Sequence, residues 1–515
     1  MQKVLFRARG SYARESFAQD QRGNVAILFA FSMVPLIGLL GGAVDLMRHS
    51  RHEVQIQNAM DAAALALTKR GAANDADADR FVNDYISAVV PATDRMLEVD
   101  PFDATKTETG YMVRATGMMQ TAFMPVVGIQ ALPINLESEV SMSTQRYEVA
   151  LALDNTGSML ERGKIGALKE AANHLIDTLS EKPGAEDLVK MALVPFATSV
   201  NIRGDAFKDA WLDPTGAGLG SHQNDSYDRT VSRLDIFDAL SDGRKGTDGL
   251  PTAWKGCIEA RAGVNDIDDV EPGRNPATRW TPYLSPDGAD GGRGEDYARS
   301  NSYLDDQTDD EGSALERLRN TDKYFRPIVT ADYGAETGPN QGCGAPVVEL
   351  NSDQKRMHDA INAMEATGYT HIPQGLAWGW RVLSPGEPFV EGAPYEDEET
   401  QKVLVLLSDG KNTFPEIYTS YGYRADGRLA TRESTGIRRL NEKVSAVCES
   451  VKDKGIRLYM ILLEENDAAT RRIFEECASV NEDGETLYFE VPDGDALTAA
   501  FDKIGEDILR IFVSR

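Results

Sequence analysis

Residues 151–160 read LALDNTGSML, an apolar run that stops at Asp154 and then sets Thr156 and Ser158 at steps of two. Asp, Asn, Ser and Gly are ordinary turn residues, so the stretch taken alone reads as a surface turn. Two distant segments change its meaning. Asp409 closes the apolar run VLVLLSDG in the same way, and Thr370 lies in TGYTHIPQGL just ahead of a helical pattern. If the two runs are strands of one sheet, their carboxyl ends share the edge where open α/β sheets bind ligands. Carboxylates and hydroxyls together are hard-oxygen donors, suited to Mg²⁺, or to Mn²⁺ or Ca²⁺. Such ions take about six or more oxygens, and Mg²⁺ keeps several waters among them. A step of two lets Thr156 and Ser158 point the same way along an extended loop, with Gly157 allowing a tight turn between them.

The elements that would position these side chains follow from the hydropathy pattern. Continuous apolar runs at 147–154, 189–196, 402–408 and 456–463 read as buried strands. Helical patterns lie between and after them, at 164–181, 352–366, 373–383, 436–454 and 494–510. This alternation predicts a doubly wound α/β domain with a mostly parallel sheet over 147–510. Two stretches interrupt it, at 203–350 and 411–435. The first is rich in Gly and Asp, as in SPDGADGGRGEDYARSN and LDDQTDDEGS, and matches no EF-hand spacing. A solvated acidic loop is the expectation there.

The bulk numbers set outer bounds. A chain of 515 residues calls for two or three domains, and 41% hydrophobic content suffices for globular folding. A net charge of −28 argues against nucleic acid as the main partner. Residues 24–44 carry no charge and are almost wholly apolar, long enough at 1.5 Å per residue to span a bilayer core of roughly 30 Å. Lys3, Arg7, Arg9, Arg14 and Arg22 precede them, which predicts a cytoplasmic tail at 1–23, a transmembrane helix at 24–46 and an extracytoplasmic remainder. A cleaved signal peptide is the alternative, with GGA at 41–43 as a weak cleavage site, although the apolar run exceeds a signal core. The helix should continue outward through 47–80. Alternating stretches such as YMVRATGMMQ and INLESEVSMST then predict a small α/β linking element at 81–146.

Asp154, Thr156 and Ser158, with Thr370 and Asp409 at a distance, resemble the metal-ion-dependent adhesion site of von Willebrand factor A domains, with Thr156 replacing the usual first Ser of DxSxS. The N-terminal RGNVAILFAFSMVPLIGLLGGAVDLMRH and QNAMDAAALAL, together with GLAWGWRVLSP and the closing AFDKIGEDILRIFVSR, resemble TadG-like proteins of the tight-adherence (Flp) pilus system. That resemblance implies an inner-membrane anchor, a periplasmic A domain, a role in pilus assembly and no catalysis. If the chain supplies five oxygens or fewer to the ion, a Glu or Asp carboxylate of a protein partner, expected among the pilus-assembly components, can complete the metal shell. Related pseudopilins are cut after a Gly, but Leu28 stands where a pilin has Glu, which argues against processing at Gly23. A surface adhesin and, less favoured, a metal-dependent hydrolase are the alternatives.

The catalytic motifs are missing. GSMLERGKI fails the phosphate-loop pattern in its spacing and in Ile165, and no GxSxG or HExxH occurs. His371, beside Thr370, is expected at most at the site rim. The four cysteines lack zinc-site spacing, and an extracytoplasmic location favours disulfides. Of three possible pairings, Cys257–Cys343 within the long insertion and Cys448–Cys477 across the helices flanking IRLYMILL are expected.

Overall fold

The computed structural model describes residues 22–89, 96–107, 110–141, 145–181, 188–220, 231–241, 253–288, 301–305, 314–326, 337–465, 467–481 and 483–510. The chain divides into two compact units, Met1–Ser143 and Thr144–Arg515.

The first unit is organised by α1 (Arg22–Arg70), a single helix of 49 residues that is roughly 70 Å long at 1.5 Å per residue. Among the described residues it is the one helix long and apolar enough to cross a membrane. It ends before residue 80, the limit expected from the sequence. Gly71 adopts φ +70° and returns its amide to the Leu67 carbonyl at 2.8 Å, a left-handed cap. A second helix, α2 (Asp75–Val89), then starts where the Asn74 side chain accepts the Asp77 amide at 3.0 Å. Strands β1 (Leu97–Val99), β2 (Asp103–Lys106), β3 (Gly110–Gln120) and β4 (Ala131–Ser141) follow. They form an antiparallel sheet in which β3 pairs with β4 on one edge and with β1 and β2 on the other. The period of two in β3 turns Tyr111, Val113, Ala115 and Met119 inward against Met60, Ala63 and Leu67 of α1.

The second unit runs β5 (Arg146–Asp154), α3 (Lys164–Ser180), β6 (Val189–Phe196), β7 (Val200–Asn201), α4 (Arg233–Ser241), β8 (Cys257–Ile258), α5 (Ala314–Arg319) and β9 (Val348–Asn351). It continues through α6 (Gln354–Asn362), α7 (Ile372–Leu383), β10 (Thr400–Ser408), α8 (Glu433–Asp453), β11 (Arg457–Leu463), α9 (Ala468–Cys477), β12 (Tyr488–Val491) and α10 (Gly494–Arg510). Six strands form a mixed sheet in the order β12-β11-β10-β5-β6-β9. All neighbours are parallel except β6 and β9. The antiparallel edge strand β9 lies at the end of the stretch expected to be an insertion.

Alternation along the strands divides the core in two. Tyr147, Val149, Leu151 and Leu153 of β5 pack with residues of α3, α6 and α10. Ala150 and Ala152 face the other way, with residues of α7, α8 and α9. Every residue of α7 is buried. Gly375 and Gly379 bring it onto the sheet so closely that an added Cβ would meet Phe196 at 2.5 Å and Leu404 at 2.4 Å. Its outer side is covered by the insertion. The Arg381 guanidinium donates to the Asp266 and Asp268 carbonyls at 2.9 and 3.0 Å and lies over Trp280 and Trp378.

The expectation of a solvated acidic loop is therefore corrected for the described part of 203–350. Trp211, Phe237, Trp280, Tyr283, Tyr303 and Tyr324 are buried in the same core as the sheet. The buried Asp287 carboxylate accepts the Tyr303 and Leu304 amides at 2.7 and 2.8 Å. Asp266 pairs with Lys443 at 2.9 Å and accepts the Tyr421 hydroxyl. Glu259, fully buried, bridges Arg233, Arg428 and the Tyr418 hydroxyl. Burial alone would raise its carboxyl, but the two guanidiniums and the hydroxyl hold it below the usual range. The acidic residues here fix turns and pair with buried cations. Residues 289–300 and 306–313, which hold much of the two quoted tracts, lie outside the described residues.

Candidate metal centre

β5 and β10 are adjacent and parallel, with Leu153 opposite Leu407, so Asp154 and Asp409 emerge at the same sheet edge. A chain of hydrogen bonds then ties together all five candidate residues. Thr370 Oγ1 donates to Thr156 Oγ1 at 3.3 Å, and Thr156 Oγ1 lies 3.0 Å from Ser158 Oγ. Ser158 Oγ donates to Asp409 Oδ1 at 2.6 Å, and Asp154 Oδ1 accepts the Thr156 amide at 2.8 Å. Thr156 and Ser158 do point the same way, through different geometry from that expected. Thr156 is extended, whereas Ser158 enters a 3₁₀ turn at 157–163. Gly157 is absent from the left-handed region. Its amide donates to the Gly368 carbonyl at 3.0 Å, and a Cβ there would sit only 3.3 Å from that oxygen. Its smallness serves a close approach to the segment that carries Thr370.

Two further residues complete the arrangement. Ser408 Oγ donates to Asp154 Oδ2 at 2.5 Å, and the buried Lys164 ammonium reaches Asp409 Oδ2 at 2.7 Å. The sequence carried a signal for Lys164. It falls four residues before Leu168, in line with the apolar stripe of Leu168, Ala172, Leu175 and Leu179, where a charge is out of place. Ser408 gave no signal beyond its place beside Asp409.

The electrostatics leave the site short of positive charge. Burial, and then the charge of Asp409, push the Asp154 carboxyl up to about 7, against the bonds from Ser408 and Thr156. Two carboxylates face a single ammonium. No group of three or more His, Cys, Asp or Glu able to hold a metal occurs among the described residues, so a zinc-type centre is not on offer there. The donors present are hard oxygens, mostly hydroxyl, and they fit a Mg²⁺-type ion. A backbone feature marks the same edge. Arg162 and Glu464, at φ 51° and 55°, are the non-glycine residues with positive φ among those described, and they pair with each other at 2.7 Å.

Thr156, Ser158 and Thr370 open onto a pocket of about 630 Å³. Leu160 and Tyr369 line it from the sheet edge, and Tyr283, Gln341 and Tyr418 line it from the two interrupting stretches. His371 is not at its rim. It is fully buried, bonded to Ser420 at 3.1 Å, and burial pushes its imidazole down to about 4, so it is neutral at physiological pH. The cysteines form two disulfides, Cys257–Cys343 and Cys448–Cys477. The first secures the segment carrying Gln341 to β8.

Residues 23–74 match the family model of TadE/G-like proteins of Flp pilus assembly. No curated protein sequence matches the chain. Among solved structures, the pilus adhesin SpaC from Lactobacillus rhamnosus GG is similar at 12% identity and a TM-score of 0.34, over 82% of this chain. The chain spans 36% of SpaC. The von Willebrand factor domain of the type V pilus tip protein Mfa5 from Porphyromonas gingivalis has 10% identity and a TM-score of 0.32, covering 72% of this chain and 97% of that one. The minor pilin PilB from Streptococcus sanguinis has 12% identity and a TM-score of 0.32, over 81% and 78% of the two chains. Likenesses this loose carry no function across.

Proposed function

We propose that this chain is a membrane-anchored, non-enzymatic protein of a pilus-assembly system, and that its second unit is a doubly wound, von Willebrand A-like domain that binds a protein partner through a divalent cation. The family match over 23–74 supports the pilus assignment, and the apolar first half of α1 supports an inner-membrane anchor with the second unit periplasmic. The observation that carries the binding role is the convergence of Asp154, Thr156, Ser158, Thr370 and Asp409, from three separate segments, beneath an open pocket.

These five residues would hold the ion, with Mg²⁺ the first candidate. A bound divalent cation supplies the positive charge that the carboxylate pair lacks and an open position for an oxygen ligand. The chain's own residues set the rest. Lys164 already offsets one of the two carboxylates, so the loaded site would carry a net single positive charge. A Glu or Asp side chain from a partner neutralises that charge, and the wall of Tyr283, Gln341 and Tyr418 limits which partner segments can approach.

Calorimetry on the detergent-solubilised full chain tests the reading. Mg²⁺ or Mn²⁺ should bind the parent, and Asp154→Ala and Asp409→Ala should each lose binding by at least about a hundredfold while keeping the fold. A parent that binds neither ion, or variants that bind as tightly as the parent, would sink it.

A further inference from the structure

We propose that the β3–β4 connection, residues 121–130, dips into the membrane beside α1 and acts as a second, interfacial membrane contact. The inference rests on the reading of α1 as a membrane helix. No charged residue occurs between Arg114 and Glu137. Within that span Phe123, Val126, Val127 and Ile129 are exposed, with Val126 and Val127 at 58% and 57%. In a chain of net charge −28, so long an uncharged stretch with an apolar tip is out of keeping with an aqueous loop.

The connection is seated on the apolar part of α1. A Cβ on Gly41 would lie 2.3 Å from Phe123 Cβ, and one on Gly38 would lie 3.2 Å from Val127 Cγ1. Asp45 lies at the outer end of the span expected at 24–46, and Gly41 and Gly38 precede it by four and seven residues, so the tip reaches about 6 to 10 Å into the span from that end, the depth at which interfacial elements sit. Exposed Leu36, Leu39 and Leu40 of α1 occupy the same level, and exposed Leu46 and Met47 continue the apolar surface past Asp45. Polar groups resume just beyond, with Arg48, with His49 on the Pro133 carbonyl at 2.9 Å, and with the exposed Arg114–Glu137 pair.

The backbone is prepared for a solvent that offers no hydrogen bonds. The fully buried Asp45 carboxylate accepts the amides of Ala122, Phe123 and Met124 at 3.0, 2.8 and 2.9 Å. The amides of Thr121, Val126, Gly128 and Ile129 find carbonyls within the connection itself, and the Thr121 hydroxyl caps Ile129 O at 2.7 Å. Seven of the nine amides in the connection are thus paired within the protein, which suits a loop in lipid, where no water would meet them. Lipid is the occupant because the exposed apolar surface runs on unbroken from the helix stretch that is itself long and apolar enough to cross a bilayer.

The test uses the full chain in phosphatidylcholine–phosphatidylglycerol vesicles, with an environment-sensitive dye on Val126→Cys and, separately, on Leu39→Cys and Glu137→Cys. The native cysteines are paired in disulfides, so labelling is site-specific. Iodide should quench the dye at 126 several-fold less than at 137, and acyl-chain spin-labelled lipid should quench it as at 39. A dye at 126 as open to iodide as one at 137, with 39 still protected, overturns the proposal and leaves the anchor intact. A dye at 126 shielded from both quenchers means that a second copy or another protein covers the tip, which also overturns it. If 39 is itself open to iodide, the anchor reading fails and the proposal with it. Val126→Asp with Val127→Asp supplies a second readout, since it should abolish lipid quenching at a dye on Ile129→Cys.

Discussion

Both units bury a carboxylate at a site that gathers donors from distant segments, and the two sites differ in what they leave unmet. Asp45 collects three backbone amides and needs nothing more. Asp154 and Asp409 collect two hydroxyls, one amide and one ammonium between them, and their mutual repulsion remains. A carboxylate saturated by amides is a structural clasp. A pair held together by one lysine is an incomplete shell, and only the second has a reason to recruit a cation.

Removing the clasp should have the largest effect. Asp45→Ala leaves three amides without their acceptor, about 3 kcal/mol or more at 1–3 kcal/mol for each unmet group. Hydrogen exchange at Ala122, Phe123 and Met124 should speed up by roughly a hundredfold. Asp45→Asn, which retains one acceptor oxygen, should fall between the two. Unchanged exchange would mean that the amides have other partners and that the contrast between the two sites is false.

Proton competition gives the next effect. With Asp154 raised to about 7, apparent Mg²⁺ affinity should fall by up to about tenfold for each pH unit below 7, since the proton must leave before an ion enters. The sign for stability follows from the same shift. The unfolded chain ionises Asp154 near 3.8, so the metal-free fold should lose stability as pH climbs from about 4 to about 7, and Mg²⁺ should restore it. Thermal melts across this range with and without Mg²⁺ check both statements.

The smallest effect sharpens the role of lysine. Lys164→Met removes the ammonium while retaining a long apolar stem. The metal-free protein should melt lower, and the gain in Tm on adding Mg²⁺ should exceed that of the parent, with affinity a few-fold tighter. A weaker Mg²⁺ response would show that Lys164 orients Asp409 for the ion and does not compete with it.

How much of this was legible in the sequence depended on periodicity. The main strands read as unbroken apolar runs and ended within a residue or two of their observed limits, because strands buried on both faces leave no polar positions to confuse the pattern. Asp154 and Asp409 were readable because strand ends fix where side chains emerge, whereas Thr156 and Ser158 were read from their spacing and Thr370 from its loop ahead of a helix. The insertion was not. Its core residues, Trp211, Trp280, Tyr303 and Tyr324, are separated by Gly- and Asp-rich turns with no period, so burial is decided by long-range packing that no local window records. Lys164 was missed for a different reason: its place in line with the apolar stripe marked it, but a lysine in an amphipathic helix is nearly always solvated, and its pairing with Asp409 is fixed by the distant sheet edge.

The Cys257–Cys343 bond has a mechanical consequence. It joins residues 86 apart in sequence and so closes a ring whose two ends lie side by side, 5.7 Å apart at their Cα atoms. Tension drawn along the chain from residue 145 to any point beyond 343 passes through the sulfurs, and the ring bears none of it. The wall that the ring presents to the pocket is thereby kept out of the load path, so this wall could hold its shape while the strands beneath it are pulled.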